Sequence, residues 1–189
     1  MKIVGVLVLA LAATTTALAA DRVARPLVPG NLVVDDAYRP FLVGHAIGTQ
    51  NYICEVVNGV IDWLPIGPQA TVFDDAFEQM LTHFQSRNPI PPNAIQATWQ
   101  DSKDTSAVWA VKLRGSTDAG YVAPGAIEWL LLQVTATRFG PNGGSKMTGT
   151  AFIQRVNTVG GKPPAGECTA GTLNNRVLVP YEADYYFYR

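Results

Sequence analysis

The longest apolar run downstream of residue 20 is Ile127-Glu128-Trp129-Leu130-Leu131-Leu132-Gln133-Val134. The turn-forming segment that follows it is Phe139-Gly140-Pro141-Asn142-Gly143-Gly144. The chain then continues through a second β-prone stretch, Met147 to Val156. Two such stretches joined by a glycine- and proline-rich turn are typical of a β-hairpin. We therefore predict a long central hairpin over residues 127–156, and its first strand, apolar on both faces, is expected at the centre of a sheet.

The first 19 residues have the three parts of a secretory signal peptide. Lys2 supplies the positive charge, residues 3–13 are apolar, and Ala17 and Ala19 place small residues where a signal peptidase reads them. The apolar part is too short to cross ~30 Å of hydrocarbon comfortably. We predict cleavage after Ala19 and a protein that is secreted or periplasmic, not an integral membrane protein.

About 170 residues remain, which is the size of one domain. Glycine (17) and proline (13) are scattered along the chain and are not pooled in a linker. Pro26, Pro29 and Pro40 predict an irregular lead-in over residues 20–43, and residues 44–189 are expected to form a single β domain. Turn signals spaced about 8–12 residues apart predict an all-β sandwich or small barrel of about nine to ten short antiparallel strands.

Two further hairpins are predicted from turn chemistry. Asn58-Gly59 lies between two strand-like runs and is the strongest short hairpin signal known. The polar segment 101–106 separates strands predicted over residues 94–100 and 107–114. In the second of these strands apolar and polar residues alternate, which is typical of a half-buried strand.

The segment 73–84 is ambiguous from the residues alone. Its apolar residues recur at helical spacing and are Phe73, Ala76, Phe77, Met80, Leu81 and Phe84. That periodicity favours an amphipathic helix capped by Asp74. The β-rich context instead favours a tight hairpin with Asp74-Asp75 in the turn, and both alternatives stay open.

Two cysteines are present, Cys54 and Cys168. In an exported protein an even number predicts a disulfide, and two cysteines allow one intramolecular pairing. The bond would close a loop of more than a hundred residues, for which loop-closure entropy predicts roughly 4–5 kcal/mol of stabilisation. Two buried free thiols or an intermolecular bond are the alternatives.

Charge and motif content argue against several function classes. Fourteen basic and 15 acidic residues show no basic stripe, so nucleic acid is not an expected partner. Residues 140–147 lack the glycine before Lys146 and the hydroxyl residue after it that a phosphate-binding loop requires, and no GxSxG elbow occurs. His45 and His83 are the only histidines, too few for a metal site beside oxidised cysteines. We expect no metal and no cofactor.

Aromatic and polar residues near strand ends provide the candidate binding site. An aromatic ring beside polar groups suits a sugar, which has an apolar face and a polar edge, or a small apolar ligand. The ligand-binding candidates are Trp63, His83, Trp99, Gln100 and Asp101. The favoured hypothesis is a non-catalytic binding or envelope-associated protein for a glycan or small molecule.

Two other hypotheses stay open. In one, the protein is an extracellular enzyme whose general base is His83, with Asp101 or Asp104 as its partner, because histidine titrates near neutral pH. In the other, it is a structural or stress-related protein without a small ligand.

Four segments carry a specific combination of residues. They are Ala97–Ser102 with Ser106–Trp109, Val122–Ile127 with Trp129–Gln133, Phe152–Thr158 with Gly160-Gly161, and Val179–Tyr181 with Ala183–Tyr185. Together they resemble the DUF3455 family, exported bacterial and fungal proteins of unknown function. The resemblance runs from about Gly44 to the C-terminus, and Cys54 and Cys168 match the two cysteines of the family. It implies an exported all-β domain, favours the hairpin over the helix at residues 73–84, and implies no catalytic residue.

Overall fold

The computed structural model describes residues 23–90 and 94–189. The predicted signal peptide, residues 1–19, lies outside the described residues, and so do Pro91, Pro92 and Asn93 of the proline-rich loop. Export and the cleavage site therefore stay predictions. Within the described ranges, no helix is long and apolar enough to cross a membrane.

Eight antiparallel strands form one closed barrel, and each strand pairs with its neighbours in the chain. They are β1 (Pro40–Val57), β2 (Val60–Phe73), β3 (Gln79–Arg87), β4 (Ile95–Asp101), β5 (Ala107–Ser116), β6 (Trp129–Arg138), β7 (Phe152–Gly160) and β8 (Arg176–Tyr188). β8 pairs with β1 and closes the barrel. The predicted all-β class is confirmed, and of the two architectures considered the barrel is the one observed.

The strands are fewer than nine or ten because some turn-forming residues lie inside continuous strands. Gly67-Pro68, a dipeptide typical of turns, lies within β2 opposite a register shift between Asn51 and Tyr52. Gly67 has a φ of 108°, which a β-bulge accommodates and which a residue with a Cβ rarely adopts. Similarly, Pro180 lies inside β8, which runs without a break from Arg176 to Tyr188.

The central hairpin is confirmed, with a longer connection than predicted. β6 pairs antiparallel with β7, and Leu132 lies opposite Ile153. β7 begins at Phe152, so residues 147–151 belong to the connection. Met147 of this connection is fully buried and packs into the barrel core, which attaches the connection to the barrel.

The segment 73–84 is a hairpin and not a helix. β2 ends at Phe73, β3 begins at Gln79, and Phe77 has a φ of 60° in the turn between them. The Asp74 carboxylate accepts hydrogen bonds from the backbone N–H groups of Ala76 and Glu78. The acidic residue that would cap a helix therefore organises a turn, since both structures offer it unpaired N–H groups.

Side chains alternate along the strands between the barrel interior and its outer surface. One apolar cluster fills much of the interior, and its largest buried members are Trp99, Tyr185, Phe187, Leu81 and Met147. A second cluster lies on the outer surface, where Leu32 and Val34 of the segment before β1 pack on Trp129 and Leu131 of β6. The carbonyl oxygen of Leu32 accepts a hydrogen bond from the buried Gln154 side chain, which anchors that segment to β7.

The predicted disulfide between Cys54 and Cys168 is confirmed. Cys54 is near the end of β1, and Cys168 lies in the connection between β7 and β8. The backbone N–H of Cys54 also donates to the Asn175 carbonyl oxygen, and the Trp63 indole N–H donates to that of Pro164. The disulfide and these hydrogen bonds hold the β7–β8 connection against one end of the barrel.

A histidine between two carboxylates links β1, β8 and the β2–β3 turn. The two ring nitrogens of His45 lie 2.6 Å from Asp184 and 2.9 Å from Asp75. Asp184 also accepts a hydrogen bond from the Asn157 side chain. Partial burial alone would lower the pKa of His45, but the hydrogen bonds and charges of Asp184 and Asp75 raise it above its usual value of 6.5.

This cluster predicts a pH-dependent contribution to stability. Because the folded pKa exceeds the unfolded one, the contribution is complete below pH 6.5 and disappears as the pH rises through the folded pKa. His45→Asn is therefore expected to lower the free energy of unfolding more at about pH 5.5 than at about pH 8.5, by less than ~1 kcal/mol because the pair is exposed. Urea unfolding at both pH values measures this, and an equal loss at both would contradict it.

Candidate ligand-binding cavity

A cavity of about 610 Å³ occupies one end of the barrel interior. All eight strands contribute to its lining, at the end that carries the loops following β1, β3, β5 and β7. An eight-stranded barrel is wide enough to hold one small ligand if its inward side chains do not fill it. Here Gly67, Ala97 and Ala110 leave that space. The volume lies within the ~300–1,000 Å³ typical of small-molecule sites.

Three aromatic side chains in mutual contact line the inner end of the cavity. His83 and Trp99 lie opposite each other on β3 and β4, and their rings stack with centroids 4.0 Å apart. Tyr185 of β8 meets both rings edge to face, at 5.0 Å and 5.3 Å. None of the three is more than 3% exposed. They form a rigid apolar wall that only a molecule inside the barrel contacts.

His83 is neutral, and one of its ring nitrogens is available to accept a hydrogen bond. Its Nδ1 lies 2.9 Å from the Thr98 carbonyl oxygen, so Nδ1 carries the proton and donates it. Burial, together with the nearby charge of Arg155, lowers the pKa of His83 to about 3. Nε2 has no hydrogen-bond partner among residues 23–90 and 94–189. At neutral pH this nitrogen is a hydrogen-bond acceptor.

Arg155 is the cation that reaches into the cavity. It lies on β7 between Tyr185 of β8 and Leu130 of β6. One guanidinium nitrogen donates to the Glu128 carbonyl oxygen at 2.9 Å. Burial raises the pKa of the Tyr185 hydroxyl, and the nearby guanidinium partly offsets that rise. Its Nε is buried and has no hydrogen-bond partner within the described part of the chain. No carboxylate of the described residues forms an ion pair with it.

The cavity opens through a polar mouth. The Glu128 carboxylate is held by Lys112, whose Nζ lies 2.6 Å and 2.8 Å from its two oxygens. Lys162 of the β7–β8 connection and Ile95 at the start of β4 are exposed at the rim. The lining thus changes from exposed charged residues at the mouth to buried aromatic rings inside.

The structure brings two of the five predicted binding residues to this cavity. His83 and Trp99 line it, whereas Trp63, Gln100 and Asp101 do not. The Trp63 indole N–H donates to the Pro164 carbonyl oxygen of the β7–β8 connection. The Gln100 side chain bonds to the Thr105 carbonyl oxygen, 3.3 Å away in the β4–β5 turn. A single site that includes both Trp63 and Trp99 is therefore not formed.

The two candidate catalytic carboxylates organise the β4–β5 turn. Asp101 accepts hydrogen bonds from the N–H groups of Lys103 and Asp104, and its second oxygen lies 3.0 Å from Lys146 Nζ. Asp104 accepts hydrogen bonds from the N–H groups of Ser106 and Lys146. Neither carboxylate is bonded to His83, whose Nδ1 is held by a backbone carbonyl. Among the described residues, no group of three His, Cys, Asp or Glu side chains is placed to hold a metal.

Sequence reasoning missed several lining residues, and Arg155 is the most consequential. In the sequence Arg155 is one charged residue in the strand-like run 152–158, a pattern that also fits a solvent-exposed position. Its inward direction follows from the register, since Ile153 two positions earlier faces the core. The period-2 alternation of β7 is the signal that predicts this once Ile153 is known to point inwards.

Comparison with known proteins identifies the family. A family model described as a protein of unknown function, DUF3455, matches residues 36–189. No curated protein and no solved structure matches the chain. The matched range contains all eight strands, both cysteines and every residue that lines the cavity. The chain therefore belongs to the DUF3455 family, whose function is unknown.

Proposed function

We propose that this protein is an exported, non-catalytic binding protein that holds one small, largely apolar molecule inside its barrel. The single observation that carries the proposal is the cavity of about 610 Å³ between an exposed mouth and the buried rings of His83, Trp99 and Tyr185. Protein interiors are normally packed to the density of organic crystals. An open apolar space of this size, with a few polar atoms aimed into it, is typical of a ligand site.

The chemistry of His83 favours binding over catalysis. A general base works best when its pKa lies near the operating pH. Burial holds the pKa of His83 at about 3, and its Nδ1 is bonded to the Thr98 carbonyl oxygen and to no carboxylate. These features support a fixed hydrogen-bond acceptor more than a proton-transfer group.

The proposed location follows from two independent features. The N-terminal residues 1–19 have the composition of a signal peptide, and disulfides persist in oxidising compartments outside the cytosol. The Cys54–Cys168 bond suits such a compartment. We therefore place the binding activity in the periplasm or outside the cell.

The test measures binding of an apolar fluorophore to the secreted, oxidised protein and to a variant with an occluded cavity. N-phenyl-1-naphthylamine is uncharged and fluoresces strongly when it leaves water. Ala97→Phe places a ring in the cavity, because Ala97 lines it opposite Ala110. We expect the wild type to bind the fluorophore, and the variant to bind it about tenfold or more weakly, which corresponds to ~1.4 kcal/mol of lost contact.

Ala76→Phe is the matched control. Ala76 is exposed in the β2–β3 turn, at the opposite end of the barrel. The control adds the same ring outside the cavity and should bind like the wild type. Native mass spectrometry before the titration detects any ligand carried through purification. A ligand-free wild type that does not bind, or equal binding by the Ala97→Phe variant, would contradict the proposal.

A further inference from the structure

The cavity of the proposed binding protein contains a cation with unused hydrogen-bonding capacity. Arg155 has five N–H donors, but among the described residues its hydrogen-bonding partners are only the Glu128 carbonyl oxygen and the Tyr185 hydroxyl. Its Nε is buried and has no partner in the described part of the chain. A partly buried guanidinium with unpaired donors destabilises the folded state unless an anion pairs with it.

The charges of the lining favour an anionic ligand. Among the described lining residues the cations are Lys112, Arg155 and Lys162, and the one carboxylate, Glu128, is already bonded to Lys112. His83 is neutral and does not change this balance. The chain as a whole has a formal net charge of −1, so the positive balance is a local property of the cavity.

The surroundings of Arg155 favour an anion with a single charge and an apolar body. Leu130, Trp99 and Ala110 present apolar surface within the same cavity. Arg155 is the one lining cation that also acts electrostatically on the buried His83 and Tyr185, whereas Lys112 and Lys162 are exposed at the mouth. One inner guanidinium matches the two oxygens of one carboxylate.

We infer that the cavity binds a monocarboxylate with an apolar body, such as a fatty or aromatic acid, and that its carboxylate pairs with Arg155. The inference rests on the proposed binding function and adds the chemical class of the ligand. The apolar body lies against Trp99 and Tyr185, and the carboxylate accepts hydrogen bonds from the guanidinium. Each end of the ligand then meets the surface that its chemistry requires.

Displacement of N-phenyl-1-naphthylamine by two ligands with the same apolar chain tests the inference. Decanoate is ionised at neutral pH and 1-decanol is not, and both are used below the concentration at which they aggregate. In the wild type we expect decanoate to displace the fluorophore at a concentration at least about tenfold lower than decanol, the effect of one charge-assisted contact.

Three variants assign the preference to Arg155. Arg155→Met keeps an apolar stem and is expected to remove the preference, so that the two ligands displace equally. Arg155→Lys keeps the positive charge and should retain most of the preference for decanoate. It is the variant to measure if Arg155→Met does not fold. Arg138→Met is the matched control, because Arg138 lies over the outward-facing Trp109 ring and its loss changes net charge equally. This control should keep the full preference.

The outcomes separate this inference from the function on which it rests. If the fluorophore binds but decanol displaces it as well as decanoate does, the carboxylate assignment is wrong and the binding function stands. An unchanged preference in Arg155→Met would equally overturn the role of Arg155. If neither fluorophore nor ligand binds the ligand-free wild type, the binding function itself fails.

Discussion

Removal of the disulfide is expected to lower the free energy of unfolding by about 4–5 kcal/mol, the largest single effect that we predict. Cys54 and Cys168 are separated by 114 positions, so the bond restricts an unfolded loop that contains most of the barrel. A domain of this size typically has only ~5–15 kcal/mol of stability in total. The double variant Cys54→Ala/Cys168→Ala should therefore unfold at a much lower urea concentration than the wild type.

The control for this experiment is the wild type unfolded with and without a reducing agent. The reduced wild type should resemble the double variant, whereas the double variant should not respond to the reducing agent. If reduction leaves the urea midpoint unchanged, the bond does not stabilise the fold in the way that loop closure predicts. Far-ultraviolet circular dichroism of the folded double variant should still report a β protein, because the barrel is closed by strand pairing between β8 and β1.

Acidification is expected to destabilise the protein through His83. The unfolded chain protonates this imidazole near pH 6.5, but burial keeps the folded pKa at about 3. Between these values the unfolded state binds more protons, so stability falls as the pH falls, by ~1.4 kcal/mol per pH unit. The contribution of His83 to stability should decrease by about 3 kcal/mol between pH 6.5 and pH 4.

His83→Asn isolates this effect. The asparagine amide can still donate to the Thr98 carbonyl oxygen but does not titrate. We expect the difference in unfolding free energy between wild type and variant to shrink, and then to reverse in favour of the variant, as the pH is lowered in urea titrations. His45→Asn is the matched control, because the pKa of His45 in the folded wild type is shifted upwards. The difference in unfolding free energy between wild type and His45→Asn should therefore grow as the pH is lowered. Parallel pH curves for wild type and His83→Asn would show that His83 is not buried in its neutral form.

Several elements were predictable because their signals are local. Asn58-Gly59 joins β1 and β2, since this dipeptide adopts the positive φ angles that a tight hairpin needs. Alternation in residues 107–114 correctly predicted the strand β5 but not its burial, since residues 107–110 are all buried and residues 111–114 are exposed. Two cysteines allowed one intramolecular bond, and that bond is present.

Other elements depended on partners that are distant in sequence. The apolar spacing in residues 73–84 fits both a helix and a strand pair, and pairing of β3 with both β2 and β4 selects the strand. Gly67-Pro68 resembles a turn, but the paired β1 strand carries the chain through it as a bulge in β2. In both cases long-range strand pairing outweighs the local preference.

In the candidate site, too, some residues were identified by local sequence signals and others are brought together only by strand pairing. Aromatic and polar residues near strand ends were enough to single out His83 and Trp99, but the same reasoning selected Trp63 and Asp101, which do not line the cavity. Arg155 and Tyr185 were not selected, because they lie 72 and 102 positions from His83 and meet it only when β8 closes against β1 and β7.

By itself, the sequence determined the β class, three of the hairpins and the family, since these depend on residue types and short spacings, and it predicted the cysteine pairing that the structure confirms. Only the tertiary structure decided that the strands close into a barrel, which inward side chains are small enough to leave a cavity, and that Arg155 points into it. The physical reason is that side-chain direction alternates with every residue of a strand. A shift of one position in register would turn Arg155 to solvent, and the register of β7 is set by its pairing with β6 and β8.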